Sequence, residues 1–371
     1  MYEVSTSSVR CNNTITDSMP ITLGVKQGDN LSPNLFRIFI NDLPNYFQEC
    51  IDCISLNDQV VNCLLYADDL VLLSTSLNGL QHGLDNLYKF CNDWCLSVNP
   101  NKTKVLIFNK AGRFIQENVQ FNNKTIDCVQ HYNYLGIHFT ASGSFTFAQI
   151  ELYKKAMKAY FKLNKHFLSC NPGTNVAIHI FDHTVIPVLL YGSEIWGLFN
   201  PFSAKFRKDK NIINILKNLK CEKLHTKFCR QILGIHKKAS TFGVFSELGR
   251  FPLSYNILSS MLNYWYRLEN IAPFNNIISS AYTASRELHE NNTPSWFSSI
   301  NAILEHFPNI NSIKIKSVSA NTFKKQVHTA YRSLHFTHWV DNRQDNLNSK
   351  LKPYTTFKWC FFFKEKIICQ L

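Results

Sequence analysis

The stretch Leu64-Leu65-Tyr66-Ala67-Asp68-Asp69-Leu70-Val71-Leu72-Leu73 decides how the rest of this chain is read. Two apolar runs of strand length flank adjacent aspartates, and a tyrosine stands two residues before the first of them. The pattern predicts a β-hairpin whose turn carries two carboxylates, backed on both sides by residues that favour burial. Two like charges about 5 Å apart at an effective dielectric near 20 repel by about 3 kcal/mol, an upper figure because neighbouring side chains on a strand diverge. Asn-Gly or Asp-Gly would make the turn without that repulsion. A bound divalent cation would remove it, and Mg²⁺ favours sites that combine one or two carboxylates with substrate phosphates. The other reading is an ordinary solvated turn, and the surrounding sequence weighs one against the other.

Upstream, residues 1–23 read as irregular or strand-like, with Asn12-Asn13 as a turn. Gly24-Val25-Lys26-Gln27-Gly28-Asp29 is a glycine-flexed loop. Ser32-Pro33 after it predicts an N-cap with proline at the first helical position. Such a loop feeding a helix start can receive a phosphate or admit a base pair to the backbone, or be no more than a connection. Downstream, Leu80, Leu84, Leu87, Cys91 and Trp94 recur at helical spacing, so a helix over about Leu77–Trp94 must bury one face against the hairpin. Leu96–Thr103 reads as a turn leading into a strand over Lys104–Phe108, and Val119–Val129 as a further short hairpin. Tyr134-Leu135-Gly136-Ile137 reads as a strand edge. Helix, hairpin, helix, strand and hairpin in this order predict an α+β fold, an antiparallel sheet with helices on one face.

At 371 residues, two or three domains are expected. Hydrophobic content of 45% excludes a disordered chain. The net charge of +13 is unevenly distributed: residues 1–140 hold 9 Lys and Arg against 13 Asp and Glu, and the remainder 30 against 13. A mildly acidic module joined to a strongly basic one suits an enzyme that binds metal in one part and a polyanion in the other. No secretory signal precedes the twelve cysteines, which predicts reduced thiols in an intracellular protein, nuclear or cytoplasmic and not secreted. Cys50-x-x-Cys53 has no matching second pair, Cys221, His225 and Cys229 do not have a usual zinc spacing, and His179-x-x-x-His183 lacks the glutamate of a hydrolase motif, so all three read as structural. No apolar run is long enough to span a membrane, since Val185–Leu198 is broken by Pro187, Gly192 and Glu194.

From about Phe147 the pattern is helical and basic. Ile150–Leu168 carries Lys154, Lys155, Lys158, Lys162 and Lys165 between apolar residues, and Lys217, Lys220, Lys223, Lys227 and Arg230 form one helical stripe. Such a stripe tracks phosphates with salt-dependent, sequence-independent binding, or serves as a solvated face. Beyond Gly249-Arg250-Phe251-Pro252 more helices are expected, with links around Asn275–Ser280 and Glu290–Ser299. The aromatic, basic tail Lys358–Leu371 has no assignment.

Taken as an ordered series, these stretches resemble the second half of a reverse transcriptase of the non-LTR (LINE-type) retrotransposon family. Gly24–Pro33 with Leu35-Phe36 is similar to the family's fourth block, Leu64–Leu73 to its catalytic block, Leu96–Lys104 to the next, and Tyr134-Leu135-Gly136 to the primer grip. Leu190-Tyr191-Gly192-Ser193-Glu194-Ile195-Trp196 and Glu247–Leu253 look like segments that follow the polymerase domain in such elements. The likeness covers roughly residues 1–265.

The resemblance implies RNA-directed DNA synthesis with an RNA template, a DNA primer and deoxynucleoside triphosphates as partners. Asp68 and Asp69 would ligate two Mg²⁺ ions, and Lys102 would stand near the leaving pyrophosphate. Tyr66 and Ala67 would support the nucleotide or primer terminus, Gln27 and Gly28 would line the template–nucleotide pocket, and Tyr134, Leu135 and Gly136 would brace the primer. The implied layout is a partial palm over 1–140, a basic thumb-like helical region over 141–240 with Lys154, Lys158, Lys217, Lys220, Lys223, Lys227 and Arg230 on nucleic acid, and a helical extension over 241–371. The family's first catalytic aspartate has no counterpart among Glu3, Asp17, Asp29, Asp42, Glu49, Asp52 and Asp58. The expectation is therefore a truncated, inactive polymerase, or alternatively a non-catalytic nucleic-acid-binding remnant.

Overall fold

Ser76 starts the helix that holds the first part of the chain together: its hydroxyl accepts the Gly79 amide at 3.0 Å, and the helix runs over Leu77–Asp93. The apolar spacing puts Leu84, Leu87, Phe90 and Cys91 on one buried face. That face meets the buried Leu43 and Phe47 of a short 3₁₀ segment, and the Tyr46 ring stands edge-on to Phe90 at 5.1 Å. At Gly83 the helix faces the aspartate hairpin, where a Cβ would make ordinary contact with the Leu72 Cδ1 at 3.8 Å. The other side of the helix pairs reciprocally with Gln120, whose amide donates to the Gln81 Oε1 at 3.0 Å and whose carbonyl accepts the Gln81 Nε2 at 2.9 Å.

The computed structural model describes residues 6–21, 24–26, 28–47, 52–56, 59–198, 219–270, 276–311 and 315–345. The chain divides into two units, Met1–Val105 with Glu117–Asp127, and Leu106–Gln116 with Cys128–Leu371.

In the first unit the other elements are short. Arg10–Cys11 pairs with Thr14–Ile15 across Asn12, whose φ of 54° is the left-handed conformation asparagine tolerates. Val119–Phe121 pairs with Lys124–Ile126 across Asn122 and Asn123, both left-handed, so the short hairpin expected over Val119–Val129 is present over Val119–Ile126 with a two-residue loop. The helix α1, Ser32–Phe39, starts otherwise than the sequence suggests. Leu31 is its cap residue, and the Ser32 hydroxyl donates instead to the Lys26 carbonyl at 2.6 Å. The glycine loop competes for that hydroxyl and wins it. The expected continuous sheet is also absent among the described residues: the strands pair two by two, mostly as hairpins, in an α+β fold.

The second unit opens with the hairpin His131–Tyr134 and Ile137–Thr140 and continues as helices. After α1, and counting Leu77–Asp93 as α2, these are α3 (Thr146–Cys170), α4 (Thr174–Thr184), α5 (Ile186–Leu189), α6 (Ser193–Trp196), α7 (Lys220–Ile232), α8 (Thr241–Glu247) and α9 (Leu253–Asn270). They are followed by α10 (Asn276–Glu290), α11 (Trp296–His306), α12 (Pro308–Asn311) and α13 (Ala320–Asp345). One core binds them, with Tyr160, Phe181, Phe228, Ile257, Met261, Ile303 and Phe323 buried, and the Phe181 and Phe228 rings stacked at 3.8 Å. The segment Asn276–Ser280, expected as part of a link, lies inside α10 as its first turn. The expected link before α11 is there, and Ser295 and Ser298 close a reciprocal cap at its end.

A polar network crosses this core. Arg250 donates from its terminal nitrogens to Asp182 at 3.0 and 2.6 Å and from Nε to the His225 Nε2 at 2.9 Å. Glu222 accepts the Ser254 amide at 2.6 Å. His225 therefore accepts at Nε2 and carries its proton on Nδ1, 3.8 Å from the Glu222 Oε2. Desolvation holds the fully buried His225 below the usual imidazole range, and burial pushes the Cys221 and Cys229 thiols up to about 12.

Candidate active site and nucleic-acid interface

Cys63–Tyr66 and Asp69–Leu72 pair antiparallel with Leu65 opposite Leu70 and Tyr66 opposite Asp69. The two-residue loop is thus Ala67-Asp68, and the expected hairpin is present with one aspartate in the turn and the other at the first paired position. Alternation leaves Leu65 and Leu70 half-buried while Tyr66 is 63% exposed. Asp68 and Asp69 are both exposed. Ala67 has a φ of 52°, a position where a hairpin loop favours glycine, and an L-residue there is strained by about 1–2 kcal/mol. Strained backbone tends to collect at working sites, and here it sits directly before the carboxylates.

Each of the other expected residues has a definite setting. Gly28 has a φ of 88° with open space where a Cβ would go, so the loop could approach a ligand with its backbone. Gln27 lies outside the described residues. Lys102 is exposed at the tip of a turn built by Asn99, whose side-chain oxygen accepts the Asn101 amide at 3.1 Å and the Lys102 amide at 3.4 Å. Asp52, an upstream acid with no assigned role, is taken up structurally: its carboxylate accepts the Ser76 hydroxyl at 2.5 Å and its carbonyl the Thr75 amide at 2.8 Å. Among the described residues no three His, Cys, Asp or Glu side chains are grouped to share a metal ion. Asp68 and Asp69 are oxygen donors of the kind Mg²⁺ takes, and it binds through one or two carboxylates when phosphates complete its shell. The donor set fits that ion.

In the second unit, Tyr134 faces Ile137 across a loop in which Leu135 (φ 48°) and Gly136 (φ 86°) are both left-handed. Leucine in this conformation is strained in the same way as Ala67. The Tyr191 hydroxyl donates to the Leu135 carbonyl at 3.0 Å. The sequence marked the segment Leu190–Trp196 but not this contact, because nothing local pairs residues 56 positions apart.

The basic residues of α3 and α7 meet on one face. Lys227 lies over the Tyr160 ring at 5.3 Å and the Phe161 ring at 4.9 Å, and Lys220 over Tyr153 at 5.9 Å. At about 100° per residue, Lys154 follows the direction of Phe161 and Lys158 lies beside it, so α3 adds cations to the same side. Lys154, Lys158, Lys220, Lys223 and Lys227 are all exposed. Lys154 also pairs with Glu151 at 2.7 Å. Arg230 is placed differently: one terminal nitrogen donates to the Ala239 carbonyl at 2.6 Å and the Thr241 hydroxyl at 3.0 Å, tying α7 to the start of α8. Lys217 lies outside the described residues. His225 is taken up by Arg250, while His179 and His183 are exposed neighbours with rings 4.1 Å apart. No described helix is long and apolar enough to cross a membrane.

Residues 1–139 match the reverse transcriptase (RNA-dependent DNA polymerase) family, which bears out the resemblance read from the ordered motifs. A protein named as the probable RNA-directed DNA polymerase from transposon BS of Drosophila melanogaster is 29% identical over 222 residues, 57% of this chain and 23% of that protein. The RNA-directed DNA polymerase from the mobile element jockey of the same organism is 28% identical over 193 residues, 48% of this chain and 20% of the relative. The Pol polyprotein from the type-2 retrotransposable element R2DM, also from Drosophila melanogaster, is 29% identical over 153 residues, 38% and 14% of the two chains. The chain thus covers less than a quarter of each of these three proteins.

Proposed function

We propose that this chain takes part in RNA-directed DNA synthesis by a non-LTR retrotransposon enzyme, acting on an RNA template, a DNA primer and deoxynucleoside triphosphates. The observation that carries this reading is the hairpin that presents Asp68 and Asp69, both exposed, from a strained loop within the reverse transcriptase segment. Asp68 and Asp69 would hold Mg²⁺, which when bound neutralises triphosphate charge and makes the primer 3′-hydroxyl a better nucleophile. Tyr66, exposed opposite Asp69, gives an aromatic surface for a base or sugar, with Ala67 between them in the loop. Lys102 offers a proton and a positive charge to a departing pyrophosphate. Gly28, with Gln27 beside it in sequence, offers backbone to the template–nucleotide pair, and Tyr134, Leu135 and Gly136 brace the primer strand. Two carboxylates are few for two ions, so a third from a further strand is required, and the chain by itself is expected to add no nucleotides.

A second reading is supported by the basic face of α3 and α7. Lys154, Lys158, Lys220, Lys223 and Lys227 bind a duplex through its phosphates whether or not Asp68 and Asp69 hold metal. The functional reading is tested by divalent-ion uptake in the presence of primer–template and nucleotide, comparing the chain with its Asp68→Asn, Asp69→Asn form. Loss of uptake in the variant supports the reading, and equal uptake overturns it.

A further inference from the structure

The hairpin loop Leu135-Gly136 has both residues left-handed, a geometry that favours Asn-Gly, Asp-Gly or Gly-Gly. Two other hairpin loops of this chain meet that demand with asparagine, at Asn12 and at the pair Asn122-Asn123, while the Ala67-Asp68 loop is strained as this one is. At position 135 it keeps a leucine, 37% exposed, so the loop presents an apolar side chain on a backbone that leucine does not favour. The conformation is held from outside the hairpin.

The hold comes from Leu190–Trp196. The Tyr191 hydroxyl donates to the Leu135 carbonyl at 3.0 Å, fixing the peptide between Leu135 and Gly136. The Tyr191 ring also covers Gly136, where a Cβ would stand 3.2 Å from its Cε1. Tyr191 is itself anchored, because its carbonyl accepts the Trp196 indole N–H at 2.8 Å. Gly192, left-handed at φ 72°, lets this segment close on the second strand, where a Cβ would stand 3.0 Å from the Ile137 Cδ1. Tyr191 thus bears on the strained loop directly, with Trp196 and Gly192 setting its segment in place.

We propose that Tyr191 is a positioning residue for the primer: its hydroxyl and ring hold the Leu135-Gly136 loop in the left-handed form that braces the primer strand. This rests on the primer-brace reading of Tyr134, Leu135 and Gly136. It also gives the segment Leu190–Trp196 a role in the site. Tyr191→Phe removes the hydrogen bond while leaving the ring over Gly136, so it perturbs the loop without opening the core.

Two readouts on the full chain test the assignment. In hydrogen exchange, Tyr191→Phe is expected to speed exchange of residues 131–140 about three- to tenfold, the range for one hydrogen bond, and to leave residues 296–306 unchanged. Adding Leu135→Asn to Tyr191→Phe should return the loop to slow exchange, because asparagine holds the left-handed form by itself. In fluorescence anisotropy, the unaltered chain should prefer an RNA template with a recessed DNA 3′ end over a continuous hybrid. Tyr191→Phe should reduce that preference about three- to tenfold. Unchanged exchange at 131–140, or a preference that survives Tyr191→Phe, overturns the positioning role. A chain with no preference for the recessed end overturns the primer-brace reading beneath it, and the exchange result then reports on the loop alone.

Discussion

The basic face of α3 and α7 makes a quantitative demand on how binding responds to salt. Among the exposed lysines on it are Lys154, Lys158, Lys220, Lys223 and Lys227. Each phosphate neutralised on B-form DNA contributes about −0.9 to the slope of log K against log salt. If all five engage, the slope is about −4.5; if Lys154 stays with Glu151, it is about −3.6. Between about 50 and 200 mM salt the affinity should therefore fall by about 150- to 500-fold. Fluorescence anisotropy of a labelled duplex across that range measures it. Lys223→Gln and Lys227→Gln should each make the slope shallower by about 0.9, with little change in melting temperature. Arg230→Gln should do the reverse, lowering the melting temperature while keeping the slope, because its guanidinium is held by Ala239 and Thr241. A slope shallower than about −2, or one unaltered in the Lys223→Gln, Lys227→Gln double variant, refutes the face as the binding surface.

The buried network predicts a pH dependence. His225 is depressed by desolvation, with Glu222, Asp182 and Arg250 as its charged neighbours. The unfolded chain takes up a proton near pH 6.5 where the folded chain resists it, so stability is full above about that pH and is lost as pH falls below it. His138 and His328, also lowered by desolvation, act in the same direction. Thermal melts from about pH 7.5 to 5 should show the melting temperature falling below about pH 6.5, and a flat profile would remove the network from the account. In primer extension on an RNA template with Mg²⁺, the chain alone is expected to make no cDNA beyond the Asp68→Asn, Asp69→Asn background. Aspartate-dependent product from the chain alone would show that two carboxylates suffice.

Local signals carried most of what the sequence disclosed. Asn12 marks a turn because asparagine tolerates a positive φ, and it stands at such a turn. The spacing of Leu84, Leu87 and Cys91 marks a helix because a buried stripe must repeat at about 3.6 residues per turn. Where two local signals compete, the sequence misleads: Ser32 resembles a cap, but the Lys26 carbonyl takes its hydroxyl. Asn276–Ser280 resembles a link by composition, but it forms the first turn of α10. Contacts between distant residues were not legible at all. Tyr191 on Leu135 and Arg250 on Asp182 join positions whose meeting depends on the fold, although both lie in segments the ordered motifs singled out.

Uptake of Mn²⁺, a paramagnetic substitute for Mg²⁺, tests the central claim most directly. Electron paramagnetic resonance reads the free ion as the chain is titrated with recessed primer–template and a matching deoxynucleoside triphosphate present. The account predicts saturable uptake beyond that of the nucleic acid and nucleotide alone. It predicts loss of that uptake in the Asp68→Asn, Asp69→Asn chain, with duplex affinity retained through the lysines of α3 and α7. Equal uptake by the two chains would mean that the Ala67-Asp68 loop is a solvated turn, and the claim that it is the metal-holding element would be wrong.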